Sequence, residues 1–218
     1  MRKKNKKYDT FKAWMVKDAF FVGKYEIPEI GSNSKELPDE VIPFDKALAS
    51  NKYNQWVHFY LHDVEFERVW NNPKQYLHML KRYKGVITPD FSMYRDMPLA
   101  MQIWNTYRNR VLGYWLESNG INIIPNISWG DERSYEFCFD GIRKNSIIAI
   151  GTYGTSKRKS DRYYLEKAVE EALKRIEPSY IVIYGSVYNK LSEILKESNI
   201  PFMVFECNTF DYKKKVTT

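Results

Sequence analysis

The stretch SIIAIGTYGTSKRKSDRYYLEKAVEEALKRIEPSYIVIYG, residues 146–185, decides the fold class. It begins with a short apolar run, 146–151, and ends with another, 180–185. Between them, residues 161–176 carry apolar side chains at helical spacing and stop just before Pro178. Two short apolar strands joined by an amphipathic helix predict parallel strands buried on both faces.

The same alternation continues outward. PFMVFE (201–206) follows a helix at 191–198, and INIIPN (121–126), GVIT (85–88) and WVHFYL (56–61) precede the central unit as further strands. A helical stretch over 64–83 breaks at Pro73, and 99–118 runs from Pro98, suited to a first helical turn, to the stop at Asn119-Gly120. The class is α/β: a mainly parallel sheet of about six strands with crossover helices. Its periodicity fits an open doubly wound sheet and an incomplete barrel equally. Residues 8–50 read as irregular, punctuated by Gly23, Pro28, Gly31, Pro38 and Pro43, with short helices at 11–20 and 44–50. The expected organisation is a basic arm at 1–7, one α/β domain at 8–210 and a basic tail at 211–218, both ends dispensable for folding.

With 218 residues, 44% of them hydrophobic, the chain buries a substantial core and is not a disordered polymer. No apolar run approaches the ~20 residues that span a bilayer. The basic start is followed by a segment broken by Lys12, Lys17 and Asp18, unlike a secretion signal. Cys138 and Cys207, with no CxxC spacing, support neither a disulfide framework nor a cysteine zinc site, so a cytoplasmic location is expected. The net charge of +7 favours anionic partners. Much of the excess lies in RKKNKK (2–7), SKRKSDR (156–162) and YKKK (212–215).

Parallel α/β architectures place ligands at the carboxyl ends of their strands. Just past those ends lie His62 and Asp63, Asp90, Asn126 with Ser128 and Trp129, Thr152 and Gly154, Gly185 and Ser186, and Glu206. Asp63 and Asp90 on neighbouring strands would face one cavity, which suits acid–base catalysis or a divalent cation. Asp63 also stands where a helix N-cap belongs. Asp90 sits too early to cap the helix entered at Pro98, for which Asp96 is better placed. Arg95 offers a bidentate anion contact or a loop ion pair. GTYGTSKRKSDRYY (151–164) leaves a strand through glycines and enters a helix with Lys157 nearby, a setting for phosphate, and YGS (184–186) repeats the strand–Gly–Ser form. It matches neither the P-loop nor the full dinucleotide fingerprint, and the alternative is a basic loop capped by Ser160. Trp129 suits ring stacking and Asp131 polar contacts, or the two form a packed and solvated turn. His58 reads as a core or edge residue. The apolar side of helix 99–118 is core, and Asn105, Arg108 and Asn109 look toward a site from its first turns or toward solvent, with solvent the expected side.

The segments FKAWMVKDAFFVGKYEIPEI, WVHFYLHD, GVITPDFSMYRDMPLAMQIWNTYRNR, NIIPNISWGDERSYEF and IAIGTYGT together resemble a family found in bacterial genomes, phages and mobile elements. It is catalogued as domain of unknown function 4417, and the resemblance covers roughly 11–206. It implies a cytoplasmic, often prophage-linked protein and assigns no reaction. Three functions stand: an enzyme acting on a nucleotide or nucleic-acid end, a non-catalytic nucleotide or nucleic-acid binder, and a protein that docks on a host or phage protein.

Overall fold

The structure, a computed structural model, describes residues 10–32, 35–155 and 158–207, and the backbone of 214–216. The basic arm and Lys157 therefore lie outside the described residues. A 3-10 turn, Ala13–Val16, leads into an antiparallel pair, β1 (Phe21–Val22) and β2 (Ile27–Pro28). Then come β3 (Val41–Pro43), α1 (Phe44–Ala47), β4 (Trp56–His58), α2 (Asp63–Asn71), α3 (Pro73–Leu80), β5 (Gly85–Ile87) and α4 (Leu99–Ser118). The second half holds β6 (Ile123–Ile124), β7 (Asn126–Ile127), β8 (Ile147–Gly151), α5 (Lys159–Ile176), β9 (Tyr180–Tyr184), α6 (Asn189–Glu197) and β10 (Phe202–Phe205). β11 (Lys214–Val216), within the expected basic tail, pairs antiparallel with β10.

The parallel strands form two four-stranded sheets, β3-β4-β5-β6 and β7-β8-β9-β10, joined at Pro125. Proline has no N–H to give a ladder. Its carbonyl accepts from the Ala149 N–H at 2.8 Å, so the strand leaves β5 on one side and joins β8 on the other. β3 is one strand more than the sequence suggested. Only three residues long and ending in Pro43, it has too little pattern to read, and a proline fits its edge position.

Strand order follows sequence order without reversal, so there is no doubly wound switch point. One buried cluster contains Val41, Trp56, Ile87, Ile124, Ala149, Val182 and Met203, from β3 through β10. Four interstrand spacings of ~4.8 Å would hold β4 and β9 about 19 Å apart in a flat sheet. The rings of His58 and Tyr184 are instead 4.3 Å apart. The sheet therefore curls with this face inward, as an incomplete barrel. Among the described residues β3 and β10 do not pair, so it stays open. The larger buried cluster, including Leu80, Leu112, Leu165 and Leu195, packs helices on the outer face.

The inner face is filled by Trp56, wholly buried, because Gly85 makes room for it: a Cβ at Gly85 would lie 2.4 Å from the indole ring. Gly85→Ala is expected to destabilise the fold by about 1–3 kcal/mol through overpacking. Adding Trp56→Phe should return part of that loss. A urea-denaturation cycle measures the coupling, and strictly additive effects would contradict the contact.

Candidate functional site

Parallel alignment brings the carboxyl ends of β4, β5, β7, β8 and β9 to one rim. Along β4 and its exit Trp56, His58 and Tyr60 alternate, so all three point into the curled sheet. Tyr60 stacks on Tyr184 with centroids 4.8 Å apart and planes 7° from parallel. Burial holds the His58 imidazole down at about 3, so it is neutral. Its Nδ1 accepts the Tyr60 N–H at 3.3 Å, which places the ring proton on Nε2.

Asp90 is the centre of the arrangement. Its Oδ1 accepts from Asn126 Nδ2 at 2.8 Å and from the Ser128 hydroxyl. Asn126 is oriented in turn by the Tyr60 hydroxyl, which donates to its Oδ1 at 2.9 Å. The other carboxylate oxygen, Oδ2, accepts no hydrogen bond among the described residues and looks over Gly151. A Cβ at Gly151 would lie 2.7 Å from the Tyr60 ring and 3.6 Å from that oxygen, so glycine is what lets the Tyr60 ring lie here. Burial raises the Asp90 carboxyl to about 6, against the pull of the Ser128 and Asn126 hydrogen bonds and with a further push from Asp63. The Tyr60 phenol is raised well above its usual range by burial, then by Asp90 and Tyr184. A carboxyl that exchanges its proton near neutrality, with one oxygen gripped and one unbonded, is equipped for acid–base chemistry.

The loop that carries Asp90 is fastened from two sides. Along α4, Gln102 donates to the carbonyls of Met97 (2.8 Å) and Tyr94 (3.2 Å), Asn105 to that of Ser92 (2.7 Å), and Asn109 to that of Pro89 (2.5 Å). Arg108 Nη1 donates to both Glu67 carboxylate oxygens at 2.7 and 2.9 Å, Nη2 donates to Asn105 Oδ1, and the guanidinium lies over the Phe91 ring. Asn105, Arg108 and Asn109 are therefore buried, not solvent-facing as the sequence suggested. The loop after β5 presents free carbonyls to that side of the helix, and only donors can satisfy them. From the other side Asp63 accepts the Ser92 N–H (3.1 Å) and hydroxyl (2.7 Å). Asp63 is the first residue of α2, not its N-cap, and holds the neighbouring loop.

The other residues singled out in sequence sit around this centre. His62 is exposed at the α2 N-cap position and makes no side-chain cap. Asp96 is exposed and Pro98 occupies the α4 N-cap position, with no side-chain cap there. Arg95 pairs with Asp161 at 2.6 Å and lies over Tyr164, tying the β5 loop to the start of α5. Trp129 is half-buried against the outer core. Asp131 caps the 3-10 turn Glu132–Glu136 and is held by Arg133, which lowers its carboxyl. Buried Thr152 donates to the Ser186 carbonyl at 2.9 Å, and the Gly185 N–H bonds the Phe205 carbonyl, so both shape the rim. Gly154 and Ser186 are exposed, Glu206 is half-buried, and Arg158 rather than Ser160 precedes α5. Among the described residues no group of three or more metal-ligating side chains occurs. Tyr60 and Tyr184 went unnoticed in sequence. Period-two spacing from Trp56 was the available signal for Tyr60, whereas the pairing with Tyr184 needs the curl.

The family described as Domain of unknown function (DUF4417) matches residues 19–204. The chain is also 37% identical over 131 residues to the Gene 1 protein of Mycobacterium phage L5, covering 60% of this chain and 57% of that protein. It is 37% identical over 129 residues to the Gene 1 protein of Mycobacterium phage D29, covering 59% and 48%. The chain thus spans about half the length of these curated relatives. No solved structure matches it.

Because the folded-state value of Asp90 lies above the ordinary 3.8, the fold favours its protonated form. That contribution is whole below about pH 4 and lost as pH rises through about 6. Asp90→Asn keeps the shape and removes the charge. It is expected to gain about 1–2 kcal/mol over the native chain at pH 8, after allowance for partial exposure, and progressively less towards pH 5. Urea denaturation at the two pH values measures this. An identical effect at both would show an ordinary carboxyl.

Proposed function

The chain belongs to the DUF4417 family, and we propose that this phage-type protein binds and processes a phosphate-bearing ligand, a nucleotide or nucleic-acid end, at the carboxyl ends of its parallel strands. The observation that carries this is Asp90, raised to about 6, gripped through Oδ1 and unbonded at Oδ2 above Gly151. In this reading Asp90 gives and takes the proton, with Asn126 and Tyr60 orienting it. Phosphate is favoured by the +7 net charge and by the exit of β8, where the Gly154 turn and exposed Arg158 and Lys159 lead into α5. Among the described residues Arg158 makes no side-chain cap there, and Asp161 in the first turn is paired with Arg95, which favours an anion at the first N–H groups of that helix. A divalent cation accompanying the phosphate would meet Asp90 first, because both oxygens of Asp63 already accept from Ser92.

A second reading, docking of a host or phage protein, draws on an open apolar groove of about 430 Å³ lined by Phe11, Tyr25, Ile27, Ala100, Ile103, Trp104 and Tyr107. Titration calorimetry with ATP and with a short oligonucleotide, with and without Mg²⁺, separates the two. The site reading expects saturable binding that weakens roughly tenfold in Arg158→Glu/Lys159→Glu. It also expects turnover to fall by about 100-fold or more in Asp90→Asn while the fold is retained. Binding and turnover both unaffected by Asp90→Asn, or no binding of either probe, would overturn it.

A further inference from the structure

Arg110 is wholly buried, with 2% of its surface exposed, yet among the described residues no carboxylate oxygen lies within ion-pair distance of it. Its guanidinium is satisfied by oxygens of neutral groups. Nε donates to the Asp140 carbonyl at 3.0 Å and Nη2 to the Cys138 carbonyl at 2.8 Å. Nη1 donates to Asn109 Oδ1 at 2.5 Å and to the Asn126 carbonyl at 3.2 Å. Asp140 eases the charge only at longer range and burial still lowers the guanidinium below its usual value, a cost that an apolar side chain filling the same space would not carry. What the guanidinium adds is direction.

We infer that Arg110 is the positioning residue of the strand-end site, fixing the two amides that aim Asp90. Held at Oδ1 by Arg110, Asn109 turns its Nδ2 to the Pro89 carbonyl (2.5 Å), immediately before Asp90, and to Thr88 Oγ1 (3.2 Å). The Asn126 backbone is pinned at both ends, its carbonyl by Arg110 and its N–H by Thr88 Oγ1 at 2.8 Å. The Asn126 side chain is then free to meet only Asp90, Ser128 and Tyr60. One fork thus sets the strand end and the loop that grip Asp90 from opposite sides, acting through geometry and not through its charge. A narrow cavity of about 10 Å³, lined by Arg110, Asn109, Asn126 and Ser128, has room for roughly one water between the helix and the site. The inference rests on the proposed role of Asp90 but is read from Asp90 itself.

The test is a ¹³C NMR titration of the Asp90 carboxyl in the full-length chain, followed beside Asp63, Tyr60, Tyr184 and His58, the titratable groups that surround it. Arg110→Lys keeps the charge and loses the fork. It is expected to move the Asp90 midpoint by roughly half a pH unit or more. Asn109→Leu serves if Arg110→Lys does not fold. It is close in size and adds no charge but removes both the acceptor for Arg110 and the donor to Pro89, and a displacement of the same size is expected. Arg175→Lys is the control, since Arg175 also donates to a backbone carbonyl, that of Tyr135 at 2.6 Å, without bonding any site residue. It should lose stability and leave the Asp90 midpoint in place. An unmoved midpoint in both Arg110→Lys and Asn109→Leu, whatever their stability, overturns the inference. Turnover lost in Asp90→Asn but unchanged in the two positioning variants would do the same while leaving the functional reading intact.

Discussion

The contact across the curled sheet, His58 of β4 and Tyr60 just past it against Tyr184 of β9, is the constraint on which the rest of the molecule depends. Parallel strands that follow one another in sequence put their crossover helices on one face, and the other face must bury itself. It does so by rolling inward over Trp56, Ile87, Val182 and Met203. The same roll brings the exits of β4, β5, β7 and β8 within hydrogen-bonding distance of one another. The site is thus a consequence of how the inner face is filled.

Helix α4 has the second controlling role. Most amphipathic helices turn donors and acceptors to water, whereas α4 buries Gln102, Asn105, Thr106, Arg108, Asn109 and Arg110. Residues 88–97 form no strand or helix that would satisfy their carbonyls, and leaving such groups buried and unmet costs about 1–3 kcal/mol each. Amides at 102, 105 and 109 follow the helical repeat and meet successive carbonyls of the loop. The loop is long because it carries Asp90 past the end of β5, and α4 keeps that length from becoming freedom.

Most of this architecture was legible in the sequence because its signals are strong ones. The runs at 85–88, 146–151 and 180–185 are bounded by charges, glycines and prolines, and they appear as β5, β8 and β9 within a residue or so. β3 was not legible, since Val41–Pro43 borrows its strand character from pairing with β4. Asp90 stood out because it follows a buried strand and precedes no cap. The buried polar side of α4 was misread for a physical reason: amphipathicity reports which side is apolar, and the other side is ordinarily water. Here it is a polypeptide loop, which accepts hydrogen bonds as water does. His58 and Tyr60 share the period-two pattern of β4 and its exit, but their meeting with Tyr184 comes from the curl and has no local signature.

These constraints converge on the ionisation of one carboxyl. Asp90 receives two hydrogen bonds on one oxygen, which alone would hold its carboxyl below the usual range. Burial outweighs them, and Asp63, itself bound to the backbone of Ser92 in the same loop, pushes in the same direction. Had the fold required Asp90 only as an acceptor for Asn126 and Ser128, an asparagine would serve with less desolvation. Gly151 supports the same conclusion from the opposite direction. Its missing side chain serves no turn and no helix end, since it is the last residue of a regular strand, and its effect is to admit the Tyr60 ring, whose hydroxyl orients Asn126 on Asp90. The same few atoms thus set both where the Asp90 carboxyl stands and how readily it exchanges its proton.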